Sequence, residues 1–197
     1  MIINIRGTSG SGKTTLMRNI MEYYRRKEPV FINGRKQPLY YKLWMFPRGH
    51  RTLRDDRPPD LIIIGHYEAA CGGCDTITNL DLAFQLVFEA AGMAEHVAFE
   101  GLLLSGDVKR CVELHETFGQ DFEVIALNTP LDVCISSVNS RRWAKDPTKD
   151  GVKPKNTESK YKCVLASIPK LQEAGVNVKH LSREAAEERL AEILLGA

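Results

Sequence analysis

A glycine-rich segment near the start of the chain constrains the fold more than any other feature of the sequence. Residues 7–14 read GTSGSGKT and match the pattern G-x-x-x-x-G-K-[ST] at every defined position. The apolar run 2–6 before it is typical of a β-strand, and the following TLMRNIMEYY is typical of a helix. Glycines at such a junction let successive backbone N–H groups point inward, and the helix adds its positive N-terminal end. The segment therefore predicts a P-loop that binds the phosphates of a nucleoside triphosphate.

The residues of this motif have expected roles in binding and catalysis. Lys13 is expected to bridge the β- and γ-phosphates and to take part in catalysis, and the Thr14 hydroxyl is expected to coordinate Mg²⁺. ATP and Mg²⁺ are therefore the expected cofactors. The predicted nucleotide-binding residues are Gly7, Thr8, Ser9, Gly10, Ser11, Gly12, Lys13, Thr14 and Thr15.

Short apolar runs alternate with helical patterns along the rest of the chain, which is typical of βα units around a mostly parallel sheet. Five core strands are predicted, at residues 2–6, 61–65, 97–99, 122–127 and 176–180. Helices are predicted at about 13–26, 80–91, 107–117, 129–143 and 157–173, and after Ser182; Thr129 and Ser182 are the predicted N-caps. The sequence thus predicts one α/β P-loop NTPase domain over residues 1–197, with an open five-stranded sheet and helices on both faces.

Two segments depart from this alternation. Residues 29–59 are predicted to be an insertion that begins as a β-hairpin around Asn33-Gly34. Residues 141–157 are predicted to include a basic, lid-like loop, because the Lys-rich stretch 144–156 has no apolar periodicity. Cations outnumber acids by ten to three in residues 23–57 and by eight to three in residues 141–162, although the whole chain carries a net charge of only +2. Such stretches suit a polyanionic ligand or form a solvated surface.

Acidic residues that follow core strands are the candidates for the chemistry. Glu100 closes the run HVAFE, and parallel strands deliver their C-terminal ends to the edge where the P-loop is expected. Glu100 is therefore expected to hold Mg²⁺ or to polarise the nucleophile. Asp75 is the first choice for a base that orients or deprotonates an acceptor hydroxyl, with Glu68 and Glu100 as alternatives. A helix cap is the structural alternative for Asp75.

Basic and aromatic residues are the candidates for the acceptor side. Arg141 is expected to neutralise charge on the transferred phosphoryl group, although two cations at a helix C-terminus also suit a solvated surface. A base is expected to stack on, or hydrogen-bond to, the segment that follows the second core strand. The predicted substrate-binding residues are His66, Tyr67, Glu68, Arg110 and Arg142.

The five cysteines do not predict a disulfide framework, because their number is odd and they are spread through a domain of ordinary size. Cys71 and Cys74 form a lone C-x-x-C with no second pair at zinc-site spacing, so both are expected to pack. The chain shows no secretory signal and no apolar run of membrane-spanning length. A cytoplasmic location is therefore expected.

Four segments, taken in order, resemble those of a known group of enzymes: IRGTSGSGKTTL, GHYEAACGGCDTI, AFEGLLLSG and LNTPLDVCISSVNSRR. The chain is similar to the bacteriophage P-loop kinases of the thymidylate-kinase-like group, and especially to the hydroxymethyluracil (5-hmdU) DNA kinases. The resemblance implies an ATP-dependent kinase of phage DNA modification that phosphorylates the hydroxymethyl group of the modified uracil. It also implies DNA with a modified pyrimidine as the partner, in the cytoplasm of the host.

The residues alone leave two other functions open. One is a kinase of a free nucleotide or nucleoside, although the chain lacks the Asp-Arg acceptor signature of ordinary thymidylate kinases after the second core strand. The other is a nucleotide-dependent ATPase or switch that transfers phosphate only to water.

Overall fold

The computed structural model describes residues 1–31, 36–45, 59–69, 72–77 and 79–196. Within them it has seven strands: β1 Ile2–Arg6, β2 Arg26–Val30, β3 Tyr40–Trp44, β4 Leu61–Ile64, β5 His96–Glu100, β6 Phe122–Leu127 and β7 Asn177–Leu181. The α-helices of the same residues are α1 Lys13–Glu22, α2 Leu80–Ala91, α3 Lys109–Phe118, α4 Leu131–Lys145, α5 Pro154–Glu173 and α6 Arg183–Leu195. No helix in the described part of the chain is long and apolar enough to cross a membrane.

All seven strands form one sheet, in the order β2-β3-β4-β5-β1-β6-β7. The five predicted core strands are confirmed as its parallel part, from β4 to β7. The predicted count of five is nevertheless wrong, because β2 and β3 pair antiparallel and β3 also pairs with β4. The hairpin-like segment thus extends the edge of the sheet to seven strands. Its expected turn at Asn33-Gly34 and residues 46–58 of the predicted insertion lie outside the described residues.

Helices cover both faces of the sheet, as predicted. One buried apolar cluster joins a face of the sheet to α2 and α3, and a second joins the other face to α1 and α6. Ile62 and Ile64 of β4 belong to the first cluster, whereas Ile63 belongs to the second. A strand that is buried on both faces needs apolar residues at every position, which explains the unbroken LIII run of β4.

Three predicted helix boundaries are corrected. Helix α1 ends at Glu22, not near Arg26, because Arg26 is the first residue of β2. Thr129 is not the N-cap of α4; Pro130 occupies that position, and the Thr129 hydroxyl instead donates to the Ser11 carbonyl oxygen at 2.9 Å. Only residues 146–153 separate α4 from α5, so the stretch without helix is shorter than predicted. The Ser182 cap of α6 is confirmed, since its hydroxyl accepts from the Ala185 N–H at 3.1 Å.

Candidate functional site

A cleft of about 660 Å³ opens at the carboxyl ends of the parallel strands. Residues 9–12 of the glycine-rich loop, between β1 and α1, line it together with Glu100 at the end of β5 and Asn128 just after β6. Gly7 and Thr8, also predicted to bind the nucleotide, are not among the lining residues of the described chain. Helices α4 and α6 contribute residues to its rim. The predicted residues that line it are Ser9, Gly10, Ser11, Gly12, Lys13, Thr14, Thr15, Asp75, Glu100 and Arg141. The structure thus brings most of the predicted nucleotide-binding and catalytic residues together.

The glycine-rich loop packs tightly against α4. Gly10 has a φ of 83°, and a Cβ atom there would lie 2.2 Å from the Cys134 carbonyl oxygen of α4. Any side chain at position 10 would therefore meet backbone atoms as well as an unfavourable backbone conformation. The hydrogen bond from Thr129 to Ser11 ties the start of α4 to the same loop. The position of α4 and the shape of the loop therefore depend on each other.

Several polar groups of the loop are buried without a protein partner. The hydroxyl oxygens of Thr8 and Ser11 have no hydrogen-bond partner among the described residues. The Lys13 ammonium donates to the carbonyl oxygens of Gly7 and Thr8, at 2.7 and 3.1 Å. Burial lowers the pKa of Lys13, and the nearby Glu100 and Asp75 oppose that shift. The loop therefore holds a buried cation and orphaned hydroxyls, which an anionic ligand would satisfy.

Glu100 and Thr14 are in direct contact within the cleft. Glu100 is 1% exposed, and its Oε1 accepts a hydrogen bond from the Thr14 hydroxyl at 2.8 Å. Burial raises the pKa of Glu100, while Lys13 and Thr14 act in the opposite direction. A carboxylate and a hydroxyl oxygen at this separation are the hard donors that Mg²⁺ takes from proteins, which usually supply only one or two ligands beside substrate phosphates. The residues present therefore fit a magnesium ion.

Asp75 lies in a short 3₁₀ turn, Cys74–Thr76, and lines the same cleft. Its side chain is exposed, and its Oδ1 accepts from the Leu102 N–H at 2.7 Å. This bond joins the turn to the segment that follows β5. The structural alternative for Asp75, a cap of the next helix, is not found: Asn79 caps α2 by accepting from the Asp81 N–H at 2.8 Å.

Gly73 brings this turn against Glu100. Its φ is 70°, and a Cβ atom there would lie 2.5 Å from the Glu100 Oε1. The residue must therefore be glycine for the turn and the carboxylate to approach so closely. Cys74 is buried and its thiol pKa is raised by burial, whereas Cys71 lies outside the described residues.

Three of the residues predicted to bind the acceptor do not line the cleft in the described part of the chain: His66, Tyr67 and Glu68. His66 is buried, with its Nε2 3.0 Å from a Glu68 oxygen that also accepts from the Tyr41 hydroxyl. Tyr67 belongs to the apolar core, and its hydroxyl donates to the Ile64 carbonyl oxygen. Their predicted contact with an acceptor base stays a prediction.

The three candidate arginines are placed differently. Arg141 of α4 lines the cleft, whereas the neighbouring Arg142 is exposed and is not among the lining residues of the described chain. Arg110 lies at the start of α3, where its guanidinium binds the carboxylates of Asp107 and Asp81. These two acids raise its pKa. Of the three, Arg141 is the one beside the loop.

No family model matches the chain. The chain is 50% identical over 193 residues to the 5-hmdU DNA kinase of Pseudomonas phage PaMx11, with 98% of this chain and 96% of that protein covered. The chain belongs to the 5-hmdU DNA kinases. The 5-hmdU DNA kinase of Pseudomonas phage M6 is 29% identical, over 78% of this chain and 79% of that protein. That of Delftia phage PhiW-14 is 24% identical, over 89% of this chain and 65% of that protein. The family resemblance expected from the sequence is confirmed.

The cleft of this 5-hmdU DNA kinase also contains residues that sequence reasoning missed. Arg18 lines it from α1, and its guanidinium donates to the carbonyl oxygens of Tyr67, at 2.9 Å, and Ala69. The spacing of four between Thr14 and Arg18 was a usable signal, since residues four apart share a helix face. Arg183 and Glu184 line the cleft from the first turn of α6, and the cap at Ser182 was the signal for them.

Chemically, the cleft combines two kinds of group. The loop, Lys13 and Arg141 supply N–H donors and positive charge. Glu100 and Asp75 supply carboxylates. The donors and cations would hold a phosphate group, and a carboxylate would accept a hydrogen bond from an incoming hydroxyl.

Proposed function

We propose that this chain transfers the γ-phosphate of ATP to the hydroxymethyl oxygen of 5-hydroxymethyluracil in phage DNA. One observation carries the proposal: in a member of the 5-hmdU DNA kinases, the glycine-rich loop, Lys13, the Thr14–Glu100 pair and Asp75 line one cleft. In this proposal the loop is a P-loop. Residues 1–197 act as a single P-loop kinase domain, with residues 29–59 as an insertion and residues 141–157 as a lid.

The donor phosphates are bound by the loop. Its backbone N–H groups and the N-terminal end of α1 favour an anion, and the orphaned hydroxyls of Thr8 and Ser11 gain partners when one binds. The Lys13 ammonium exchanges the carbonyl oxygens of Gly7 and Thr8 for phosphate oxygens. The negative charge of those oxygens favours the protonated form of Lys13 and so offsets the effect of burial.

Thr14 and Glu100 would hold a magnesium ion. The Thr14 hydroxyl would bind it through an oxygen lone pair, and the Glu100 carboxylate would supply compensating negative charge. When bound, Mg²⁺ neutralises the charge of the donor phosphates. Without a cation, burial raises the pKa of Glu100. A divalent charge beside the carboxylate would lower that pKa again.

Asp75 orients the acceptor. Its exposed carboxylate keeps one oxygen on the Leu102 N–H, and the other oxygen accepts the hydrogen bond of the incoming hydroxymethyl group. A bond forms between the hydroxymethyl oxygen and the γ-phosphorus, the bond from that phosphorus to the β,γ-bridging oxygen breaks, and the hydroxyl proton passes to Asp75 and then to water. Arg141 neutralises charge on the transferred group. Inside a duplex the target nucleotide must first leave the base stack.

The test is incubation of the purified chain with γ-labelled ATP and Mg²⁺. One arm contains duplex DNA with 5-hydroxymethyluracil, a second contains the same duplex with thymine, and a third contains a panel of free nucleotides and nucleosides. Label is expected only in the modified duplex. Label in the free compounds alone would favour a nucleotide kinase, and phosphate release without any labelled acceptor would favour an ATPase.

Asp75→Asn tests the acceptor role. The substitution keeps the hydrogen bond from Leu102 but weakens the interaction with the acceptor hydroxyl, so kcat is expected to fall about 10²-fold with ATP affinity unchanged. Steady-state kinetics and ATP titration by calorimetry separate the two quantities. The matched control is Asp121→Asn, an exposed aspartate just before β6, at the amino end of the parallel strands and away from the cleft. Equal losses of ATP affinity and kcat would assign Asp75 to the nucleotide site instead.

A further inference from the structure

The most exposed large apolar side chain of the described residues lies beside the acceptor end of the cleft. Leu103 is 62% exposed, and its neighbour Leu102 lines the cleft. Both follow β5, the strand that ends at Glu100. A single exposed leucine is ordinary on a protein surface. This one is notable because it follows Leu102, which lines the cleft next to the proposed acceptor residue Asp75, and the proposed acceptor is a base in DNA.

The tip that carries Leu103 is held firmly on both sides. Asp75 accepts from the Leu102 N–H at 2.7 Å. The Ser105 hydroxyl donates to the Gly101 carbonyl oxygen at 2.6 Å, and it accepts from the Gly7 N–H at 3.2 Å. Leu103 is therefore presented on a turn that is bonded to both the Asp75 turn and the start of the glycine-rich loop. Because these bonds hold the turn in place, the turn loses little conformational freedom when Leu103 enters a tight space.

A strongly basic surface flanks this tip. It comprises the end of α4, the connection after it and the first half of α5, residues 141–162, and it carries eight Lys/Arg against three acids. Seven of the eight cations are exposed: Arg142, Lys145, Lys149, Lys153, Lys155, Lys160 and Lys162. We call residues 141–162 the α4–α5 basic surface.

Helix α5, whose first half belongs to the α4–α5 basic surface, contacts the turn that follows Leu103. Helix α5 packs on the 3₁₀ turn Leu104–Gly106, where the Ser167 hydroxyl lies 3.4 Å from the Ser105 carbonyl oxygen. At the next turn of α5, a Cβ atom on Gly106 would lie 2.9 Å from the Cys163 sulfur. Lys155, Lys160 and Lys162 precede this contact on the same helix. The Leu103 tip and the α4–α5 basic surface are therefore joined through α5.

We infer that the α4–α5 basic surface and the Leu103 tip together dock duplex DNA, with the phosphate backbone along the basic surface and Leu103 inserted into the base stack where the target nucleotide leaves it. The inference rests on the proposed function. Charge complementarity selects a polyanion, and an apolar side chain beside the acceptor site selects a stacked duplex. Apolar wedges of this kind occupy the space between base steps and so offset lost stacking. Leu103 is thus a positioning residue, which acts on the DNA and not on the reacting atoms.

The decisive experiment compares duplex and single-stranded substrates of the same sequence, each with one 5-hydroxymethyluracil. Leu103→Ala is expected to lower kcat/KM on the duplex about tenfold or more, and to change it less than about twofold on the single strand, where no base pair must open. Leu103→Met should restore activity on the duplex. Leu195→Ala, an exposed leucine at the end of α6, is the matched control and should alter neither value.

A second readout reports the opening of the duplex directly. A 2-aminopurine beside the target base becomes more fluorescent when it is unstacked. Wild type should raise this fluorescence on binding, and Leu103→Ala should raise it less at saturating protein. Equal effects of Leu103→Ala on both substrates, an unchanged fluorescence rise, or a wild type that acts only on single strands would each overturn the inference. A wild type that phosphorylates neither substrate overturns the proposed function itself.

The basic surface has its own test. Lys155→Gln combined with Lys160→Gln should reduce the slope of log affinity against log salt by about 2 for unmodified duplex, because each phosphate contact contributes a slope near one. Lys170→Gln, in the last turn of the same helix, is the control and should leave the slope unchanged. An unchanged slope in the double variant would exclude this surface as the path of the backbone.

Discussion

Two buried glutamates in different parts of the sheet have different hydrogen-bond partners. Glu100 ends β5 at the cleft and is 1% exposed, whereas Glu123 lies near the start of β6, at the amino end of the parallel strands, and is 0% exposed. Glu123 accepts from the Arg189 guanidinium at 3.0 and 2.8 Å and from Asn177 at 2.9 Å. Glu100 accepts from the single hydroxyl of Thr14, and the nearby Lys13 bonds to loop carbonyls instead.

The difference separates a carboxylate that the protein compensates by itself from one that it leaves under-compensated. The forked contact of Arg189 compensates the burial of Glu123 and raises the pKa of the guanidinium. The Glu123 carboxylate is therefore neutralised by the protein itself, without a ligand. At Glu100, burial outweighs the protein's own compensation, and the pKa of the carboxyl is raised. A charge that the protein leaves under-compensated is stabilised when a cation or substrate arrives. Four predictions test this contrast.

Lys13→Ala should give the largest effect. The variant removes the cation that meets the donor phosphates, so kcat/KM is expected to fall about 10³-fold or more. The fold should persist, because a buried ammonium with a lowered pKa contributes little to stability. Lys109→Ala is the matched control: it also changes the first residue of a helix, and its side chain is exposed. Circular dichroism and kinetics check both; near-normal turnover in Lys13→Ala would remove the loop from the chemistry.

Arg189→Ala should have the next largest effect, on stability alone. It leaves Glu123 buried without its forked partner, at a cost of about 3 kcal/mol in the free energy of unfolding. Urea unfolding measures this cost. Glu192→Ala, which removes only the exposed acid 3.0 Å from the same guanidinium, should cost less than about 0.5 kcal/mol. Loss of specific activity in folded Arg189→Ala would contradict the division between the two sites.

The contrast also explains what the sequence could predict. The parallel strands, the glycine-rich loop and Glu100 were predictable, because continuous apolar runs and a short motif carry their signals locally. The sheet position of β2 and β3 was not, since pairing of β3 with β4 joins residues about twenty apart across a connection without periodicity. The contacts of Arg18 with Tyr67 and of Thr129 with Ser11 were also missed. Such bonds depend on how separate elements approach each other, which residue spacing alone does not specify.

Glu100→Gln should divide activity from stability. The amide keeps an acceptor for the Thr14 hydroxyl but lacks the charge proposed to hold Mg²⁺, so kcat is expected to fall about 10²-fold. Without ligand the same variant should be more stable than wild type by about 1 kcal/mol, a rise in Tm of roughly 2–4 °C. Glu95→Gln, an exposed residue just before β5, is the control for both measurements. A variant that is both less active and less stable would make Glu100 a structural residue like Glu123.

The pH dependence of stability should show the smallest effect and the most specific one. In the unfolded chain the Glu100 carboxyl has its ordinary pKa of 4.5, and in the folded chain burial raises that pKa. The folded protein therefore binds this proton more tightly, and the resulting stabilisation is complete below pH 4.5 and is lost as the pH rises through the raised pKa. The amide of the Glu100→Gln variant has no such proton to lose. Wild type and Glu100→Gln should thus have similar free energies of unfolding near pH 4 and diverge toward neutral pH, with the variant the more stable. Ligand-free urea titrations across that range measure the divergence. Parallel curves would mean that the Glu100 carboxylate is as well compensated as that of Glu123.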